Sequence, residues 1–257
     1  MVFSALLIGL APSFVAGGDQ PAVPTTPLVP FEISAQDAEP ASWEGAVLLS
    51  LIDTRGNSKN QSAALDAHAK LEEEKNRYTA KLYWLYSDQE GVLTERKAGA
   101  SFQYDYLAGE DYYYTASAAI ETDDRAMLDL RYRVGAGVGY DVIKSEKQDF
   151  SVEAGLNYIQ EEFQDGSDND VIALNFGYDW RYQLDERTKF EQSFDIYPAI
   201  DDFHDVYARL ESGLSNQLSA SMLASIRSVF DWDNTPAPGA GRRDHRLVIS
   251  LGWTFGG

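Results

Sequence analysis

The 257-residue chain contains no cysteine and only three histidines, and its basic residues are few. Without cysteine the chain can form no disulfide, no thiolate metal site and no lipid-anchored cysteine. No run of 18 or more apolar residues follows the N-terminal segment, so we expect no transmembrane helix. The 41 acidic residues outnumber the 21 basic ones and give a net charge of -20, which argues against nucleic acid as a partner.

Composition divides the chain into three segments. The start, MVFSALLIGLAPSFVAGG, is a short apolar stretch ending in small residues, which predicts a secretory signal peptide over residues 1–17. Residues 18–42 hold five of the nine prolines and show little apolar periodicity, which favours an extended or disordered periplasmic linker. From residue 43 to 257, eleven breaks rich in turn residues separate short alternating runs. This spacing predicts one all-β domain of about twelve strands.

The alternation between apolar and polar residues has a period of two. In the runs 98–106, 112–120, 128–142, 150–158 and 172–182, all 29 even-numbered residues are Ala, Val, Ile, Leu, Phe, Tyr or Trp. The odd-numbered residues between them are mostly charged residues, glycines and small polar residues. Side chains on a strand point alternately to opposite faces, so one face of each strand is apolar and the other is polar.

The number of strands decides which face points inward. Eight strands can close around an apolar interior, whereas twelve enclose a lumen too wide for an apolar lining to fill. An outward apolar face in lipid and an inward polar face avoid this difficulty. We therefore predict a transmembrane antiparallel up-and-down β-barrel in the cell outer membrane, with outer membrane lipids around it.

Aromatic residues and connection lengths orient the predicted barrel. Tyr and Trp favour the water–lipid interface, and aromatic residues gather at the predicted strand ends. The connections on the side shared by both chain ends are mostly the shorter ones, and barrels of this kind have short periplasmic turns. Both termini are therefore expected in the periplasm, and the acidic loops at 121–125, 161–170 and 201–205 outside.

The segment LRYRVGAGVGYDV, residues 130–142, shows what the lumen would contain. Its inward positions hold Arg131, Arg133, three glycines and Asp141. We expect the glycines to leave space for large side chains from other strands, with an inward ring such as Tyr113 covering them. The full set of predicted lumen-lining charges is Asp105, Asp129, Arg131, Arg133, Asp141, Glu153, Asp179 and Arg181.

Two stretches resemble the salt-induced outer membrane proteins of the YdiY-like family, whose members have a domain of unknown function. They are WEGAVLLSLIDTRGNSKNQS, with Trp43, Gly45 and the turn at 56–58, and the strand LRYRVGAGVGYDV. The similarity covers residues 43 to 257 and ends in LGWTFGG. It implies an outer membrane β-barrel and no known reaction. For a barrel of this kind we expect the barrel assembly machinery as a partner.

The sequence gives no reason to expect an enzyme, a cofactor or a bound metal. Lipases that are outer membrane barrels carry a Ser and a His on the lipid-facing wall, but this chain has no His-x-Ser pair among His68, His204 and His245. The loop QDGSDND offers Asp165, Asp168 and Asp170 but lacks the spacing of a calcium loop.

Three functions are compatible with these observations. The first is a narrow channel or solute-interacting protein with a charged lumen. The second is a structural envelope barrel with a plugged lumen, and the third is a secreted soluble β-barrel that binds an apolar ligand. The sequence does not identify a solute or an oligomeric state.

Overall fold

The computed structural model describes residues 42–54, 60–237 and 239–256. The predicted signal peptide and nearly all of the predicted linker lie outside these residues, as does the turn at 56–58. Within the described residues there are twelve strands. They are Glu44–Thr54 (β1), Asn60–Glu73 (β2), Asn76–Gln89 (β3), Val92–Leu107 (β4), Tyr112–Asp123 (β5), Leu128–Lys144 (β6), Gln148–Phe163 (β7), Asp168–Gln183 (β8), Thr188–Pro198 (β9), Val206–Gln217 (β10), Met222–Asp233 (β11) and Arg243–Phe255 (β12).

The strands form one closed barrel with up-and-down topology. Each strand pairs antiparallel with its neighbours in sequence, and β1 pairs with β12 to close the sheet. The predicted twelve-stranded all-β barrel is therefore confirmed. Glu44 and Phe255 lie at the same end of the barrel, which we call the terminal end, and we call the opposite end the loop end.

The two faces of the sheet follow the period of two in the sequence. On β6, Val134 and Val138 are each 53% exposed on the outer surface, whereas Arg131 and Arg133 between the outward residues point into the lumen and are partly covered. Closure removes the exposed edges that an open sheet of this size would present. The barrel thus has an apolar outer surface and a lumen rich in charge.

The loop end of β6 departs from the predicted alternation. The pairing register shifts between Leu128 and Leu130, where a bulge at Asp129 reverses the direction of the side chains. Leu128 is consequently fully buried beside its pairing partner Phe163, while Asp129 is exposed. The predictions that Leu128 faces outward and that Asp129 lines the lumen are both wrong for this reason.

The three lumen-facing glycines of β6 accommodate different neighbours. A Cβ on Gly139 would lie 2.1 Å from the ring of Tyr113, and one on Gly135 would lie 2.2 Å from the side-chain oxygen of Asn157. Tyr113 thus covers a glycine as the sequence suggests. At Gly137 the neighbour is instead backbone, because a Cβ there would lie 2.5 Å from the carbonyl oxygen of Ala154.

Connections between strands are short, and one loop adds a single helical turn. The turn between β3 and β4 consists of Glu90 and Gly91 alone, since the two strands extend further than the sequence breaks suggest. The β5–β6 connection forms a 3₁₀ turn, Asp124–Ala126, and the carboxylate of Asp123 accepts hydrogen bonds from the backbone N–H groups of Arg125 and Ala126. Among the described residues, no helix is long and apolar enough to cross a bilayer.

We predict that an added methyl group has different effects at a lumen glycine packed against backbone and at one with open space beside it. Gly137→Ala would push β6 and β7 apart, because its neighbour is a carbonyl oxygen that cannot rotate away, and we expect a loss of about 1–3 kcal/mol. Gly213→Ala also faces the lumen, but its nearest neighbouring atoms are 3.9 Å away, so its effect should stay within about 0.5 kcal/mol. Urea unfolding of both variants measures the difference, and equal losses would contradict this account of β6.

Candidate functional site: the charged lumen

A chain of ion pairs crosses the lumen in its loop-end half. Lys97 on β4 lies 2.6 Å from Asp123 on the neighbouring strand and 3.6 Å from Asp231 on β11. Four strands separate β4 from β11 along the shorter way round the barrel, so the second contact spans the lumen itself. Lys97 is 3% exposed, which means that its ammonium group has almost no access to water and depends on these carboxylates.

A second crossing contact lies beside the first. Arg209 on β10 lies 2.6 Å from Asp231 and 3.8 Å from Glu121 on β5, again with four strands between β10 and β5. Glu121 also bonds Arg131, which in turn lies 2.5 Å from Glu161 on β7. Acids and bases therefore alternate from wall to wall, and each carboxylate here contacts at least one cation.

The wall at β12 completes this network. Arg246 lies 2.9 Å from Asp231 and 3.5 Å from Glu95. We call the whole network the ion-pair plug, and its members are Glu95, Lys97, Glu121, Asp123, Arg131, Glu161, Arg209, Asp231 and Arg246. Their side chains are at most 20% exposed, so the plug fills this level of the lumen.

Tyrosines pack between the charged groups of the plug. The hydroxyl of Tyr207 donates to Asp231 over 2.8 Å, and the guanidinium of Arg131 lies 5.1 Å from the centre of the same ring. Arg133 stacks in the same way on Tyr197 at 4.7 Å, and the Tyr197 ring stacks on that of Tyr207. Planar guanidinium groups stack favourably on aromatic faces, so these rings support cations that backbone groups cannot reach.

A smaller cluster lies at the terminal end on the wall formed by β3 to β7. Arg77 reaches Asp105 at 3.6 Å and Asp141 at 3.4 Å, and it stacks 5.2 Å above the ring of Tyr113. The hydroxyl of Tyr113 donates to Glu153 over 2.9 Å. We call these five residues the Arg77 cluster; it narrows the lumen on one side only.

Other lumen-facing side chains in the terminal half of the barrel are open to water. His68, Lys81, Asp179 and Arg181 occupy lumen-facing positions in the pairing register and are nevertheless exposed. Lys81 lies within electrostatic range of Asp179, Asp195 and Glu211. Since these side chains point inward, their exposure reports water-accessible space inside the barrel. We call this space the vestibule.

The structure places seven of the eight predicted lumen charges on the inner face. Arg131 joins the ion-pair plug, Asp105, Asp141 and Glu153 belong to the Arg77 cluster, and Arg133 stacks on Tyr197. Asp179 lies in the vestibule and Arg181 pairs with Asp149 at 3.1 Å, both half-exposed. Asp129 is the exception described above.

Most of the ion-pair plug was not among the predicted residues. Lys97, Arg209, Asp231 and Arg246 lie on strands, or parts of strands, outside the five runs used to count the alternation. The inward direction of Lys97, Arg209 and Asp231 could have been read by continuing the odd-numbered parity along β4, β10 and β11, whereas on β12 the parity changes and the even-numbered Arg246 faces inward. Their pairing across the lumen has no counterpart in the sequence, because it depends on which strands face each other after closure.

The described residues contain no group of three or more side chains arranged to hold a metal ion. In the acidic loop between β7 and β8, a carboxylate instead forms hydrogen bonds within the loop. The carboxylate of Asp165 accepts the hydroxyl of Ser167 at 2.5 Å and its backbone N–H at 2.9 Å, and these bonds lower the pKa of Asp165.

Solved structures show the same architecture. The chain is similar to the NanC porin, at 8% identity and a TM-score of 0.51, with 83% of this chain and 99% of the porin covered. It is also similar to the COG4313 outer membrane channel from Pseudomonas putida F1, at 13% identity and a TM-score of 0.50, with 87% and 100% covered. These similarities show the fold. Among proteins with curated descriptions, none matches the sequence.

A family model matches residues 47–255, which is nearly the whole barrel. Its description is "Protein of unknown function, DUF481". The match spans every lumen residue discussed above. The resemblance found in the sequence is thereby confirmed: the chain belongs to the DUF481 family, the YdiY-like family of outer membrane β-barrel proteins.

Proposed function

We propose that this protein is an outer membrane barrel that receives small polar solutes in a charged vestibule open to the periplasm and is closed toward the outside by its ion-pair plug. The observation that carries the proposal is the pair of contacts across the lumen, Lys97 to Asp231 and Arg209 to Glu121. A permanently open pore would keep such charges hydrated on its walls.

The apolar outer face supports a position in lipid. Leu, Val and Ile side chains on all sides of the barrel are about half exposed, which a water-soluble protein of this size would not tolerate as a continuous surface. In a bilayer the same surface is solvated by lipid tails. The secreted soluble barrel with an apolar interior is disfavoured, because the inner face holds ion pairs and tyrosines.

The vestibule supports contact with solutes from the terminal end. Its side chains are charged and accessible, whereas those of the plug are covered. A polar solute could enter beside Lys81 and Asp179 without breaking a buried ion pair. Passage further along the lumen would require displacement of the plug, so the proposed resting state is closed.

Conductance in a planar bilayer tests the closed lumen. We expect the wild-type barrel to show no steady ion current, because the plug leaves no hydrated path. The double variant Lys97→Ala/Arg209→Ala removes both cations that cross the lumen and should produce current steps, with a preference for cations because Glu121, Asp123 and Asp231 would then dominate. Steady wild-type current would overturn the closed state, and a silent double variant that remains folded would favour a purely structural barrel.

Two arginines of the inner face test whether the plug is dry. Arg131→Ala removes a covered partner of Glu121 and Glu161 and should cost about 3–5 kcal/mol, since it leaves buried carboxylates unpaired. Arg181→Ala breaks a pair with Asp149 in which both side chains are more than 40% exposed, and should cost about 0–1 kcal/mol. Heat or urea unfolding compares the two. Similar small costs would mean that water reaches the plug.

Chemical labelling of intact cells tests the proposed orientation. The native chain has no cysteine, so a single introduced cysteine is the only reactive thiol. Asp168→Cys, at the loop end of β8, should react with a membrane-impermeant maleimide on intact cells. Lys147→Cys, in the turn between β6 and β7 at the terminal end, should react only after lysis. Reaction of Lys147→Cys alone on intact cells would invert the orientation.

A further inference from the structure

A serine and a histidine meet on the outer wall of the barrel. The Oγ of Ser228 on β11 lies 2.9 Å from the Nε2 of His245 on β12. Ser228 pairs with Ser212 and Leu247, and its parity places its side chain outward, away from the ion-pair plug. The two residues are separated by the connection between β11 and β12, so no local sequence motif predicts that they meet.

A row of hydrogen bonds on the same apolar wall ends at Ser212, a pairing neighbour of Ser228. The hydroxyl of Tyr178 on β8 donates to the side-chain oxygen of Gln192 on β9, and the amide of Gln192 donates to the Oγ of Ser212 on β10, each over 2.9 Å. Ser212 stands directly across from Ser228. The Oγ of Ser212 accepts a hydrogen bond from Gln192, so its hydroxyl proton is available to donate to a group bound next to Ser228.

We propose that Ser228 and His245 form a catalytic dyad that hydrolyses the acyl esters of membrane lipids. When Nδ1 of the His245 ring carries the proton, Nε2 accepts the hydroxyl of Ser228 and can act as its general base. Ser212 supplies one donor for the negative charge that develops on the ester oxygen. Among the described residues His245 makes no other hydrogen bond, so the arrangement is a dyad.

The surroundings of the dyad fit a lipid. Phe230 and Leu247 flank it on the outer surface and are 36% and 59% exposed, which offers an apolar surface for an acyl chain. Arg243 begins β12 at the loop end, two residues from His245 and on the same outward parity, where a cation can meet an anionic headgroup. Ser228 is level with Leu247, four residues from this strand end, which places it about 10 Å below the rim along a tilted strand.

The proposed reaction has two steps. The Oγ of Ser228 forms a bond to the ester carbonyl carbon while its proton passes to Nε2, and the carbon–oxygen bond to the lipid alcohol breaks as that proton leaves with the alcohol. Water, deprotonated by the same nitrogen, then attacks the acyl-serine and releases the fatty acid. Each cycle therefore consumes one ester and one water and restores the serine.

Fatty acid release from mixed micelles by the purified full-length chain tests the dyad. One set of micelles contains phosphatidylethanolamine and the other contains acylated glucosamine lipid, and hydrolysis of either supports the proposal and identifies the lipid class. We expect Ser228→Ala and His245→Ala each to lower the rate by about 100-fold or more. Ser225→Ala, a lumen-facing serine on the same strand, is the control and should leave the rate unchanged.

A covalent probe gives a readout that needs no variant to be active. A long-chain alkyl fluorophosphonate should add one phosphonyl group to the wild-type protein, located at Ser228 by mass spectrometry, and should not label folded Ser228→Ala. No hydrolysis of either lipid together with no labelling of Ser228 would overturn the dyad. The proposal rests on the proposed function, in which the apolar wall faces lipid. A water-soluble butyrate ester in detergent requires the dyad but not that position, so its hydrolysis without lipid hydrolysis would mean that the placement in lipid is wrong and the dyad is right.

Discussion

The constraint on which the rest of the structure depends is the cost of placing charge inside a narrow lumen. A buried ammonium or guanidinium group is stable only when carboxylates and hydrogen-bond acceptors replace its water. Lys97 and Arg209 meet this requirement by reaching carboxylates on the far wall as well as on a neighbouring strand. The pairing of the inner charges therefore fills the lumen at the level of the ion-pair plug and leaves the vestibule accessible.

The same chemistry distinguishes the two halves of the barrel. In the loop-end half, the acids and bases are close to balanced and their side chains exclude water. In the vestibule, Lys81 stands among Asp179, Asp195 and Glu211 at longer range, and its side chain is exposed. The barrel thus has an accessible vestibule in its terminal half and an ion-pair network that fills the lumen in its loop-end half.

The period-two pattern predicted the strand count, the closed topology and the inward direction of most lumen charges, because side-chain direction on a strand is a local property. The bulge at Asp129 was not predictable in this way, since it arises from how β6 pairs with its neighbours at the loop end. The partners of Arg131 and Lys97 were also out of reach of the sequence, as was the meeting of Ser228 with His245. These contacts depend on the register between strands and on which walls face each other, and neither quantity is encoded in the parity of a single strand.

Closure of the ion-pair plug also has a consequence for the order of assembly. Lys97 and Asp231 lie on β4 and β11, far apart in the chain, and they come within reach only when β1 has paired with β12. Contacts between such distant residues form late in folding, because the intervening chain must first be ordered. Until that moment both groups keep their water. The contacts of the plug across the lumen therefore exist only in the closed barrel. They stabilise the fully paired ring of strands and do not stabilise an open sheet in which β1 and β12 are still unpaired.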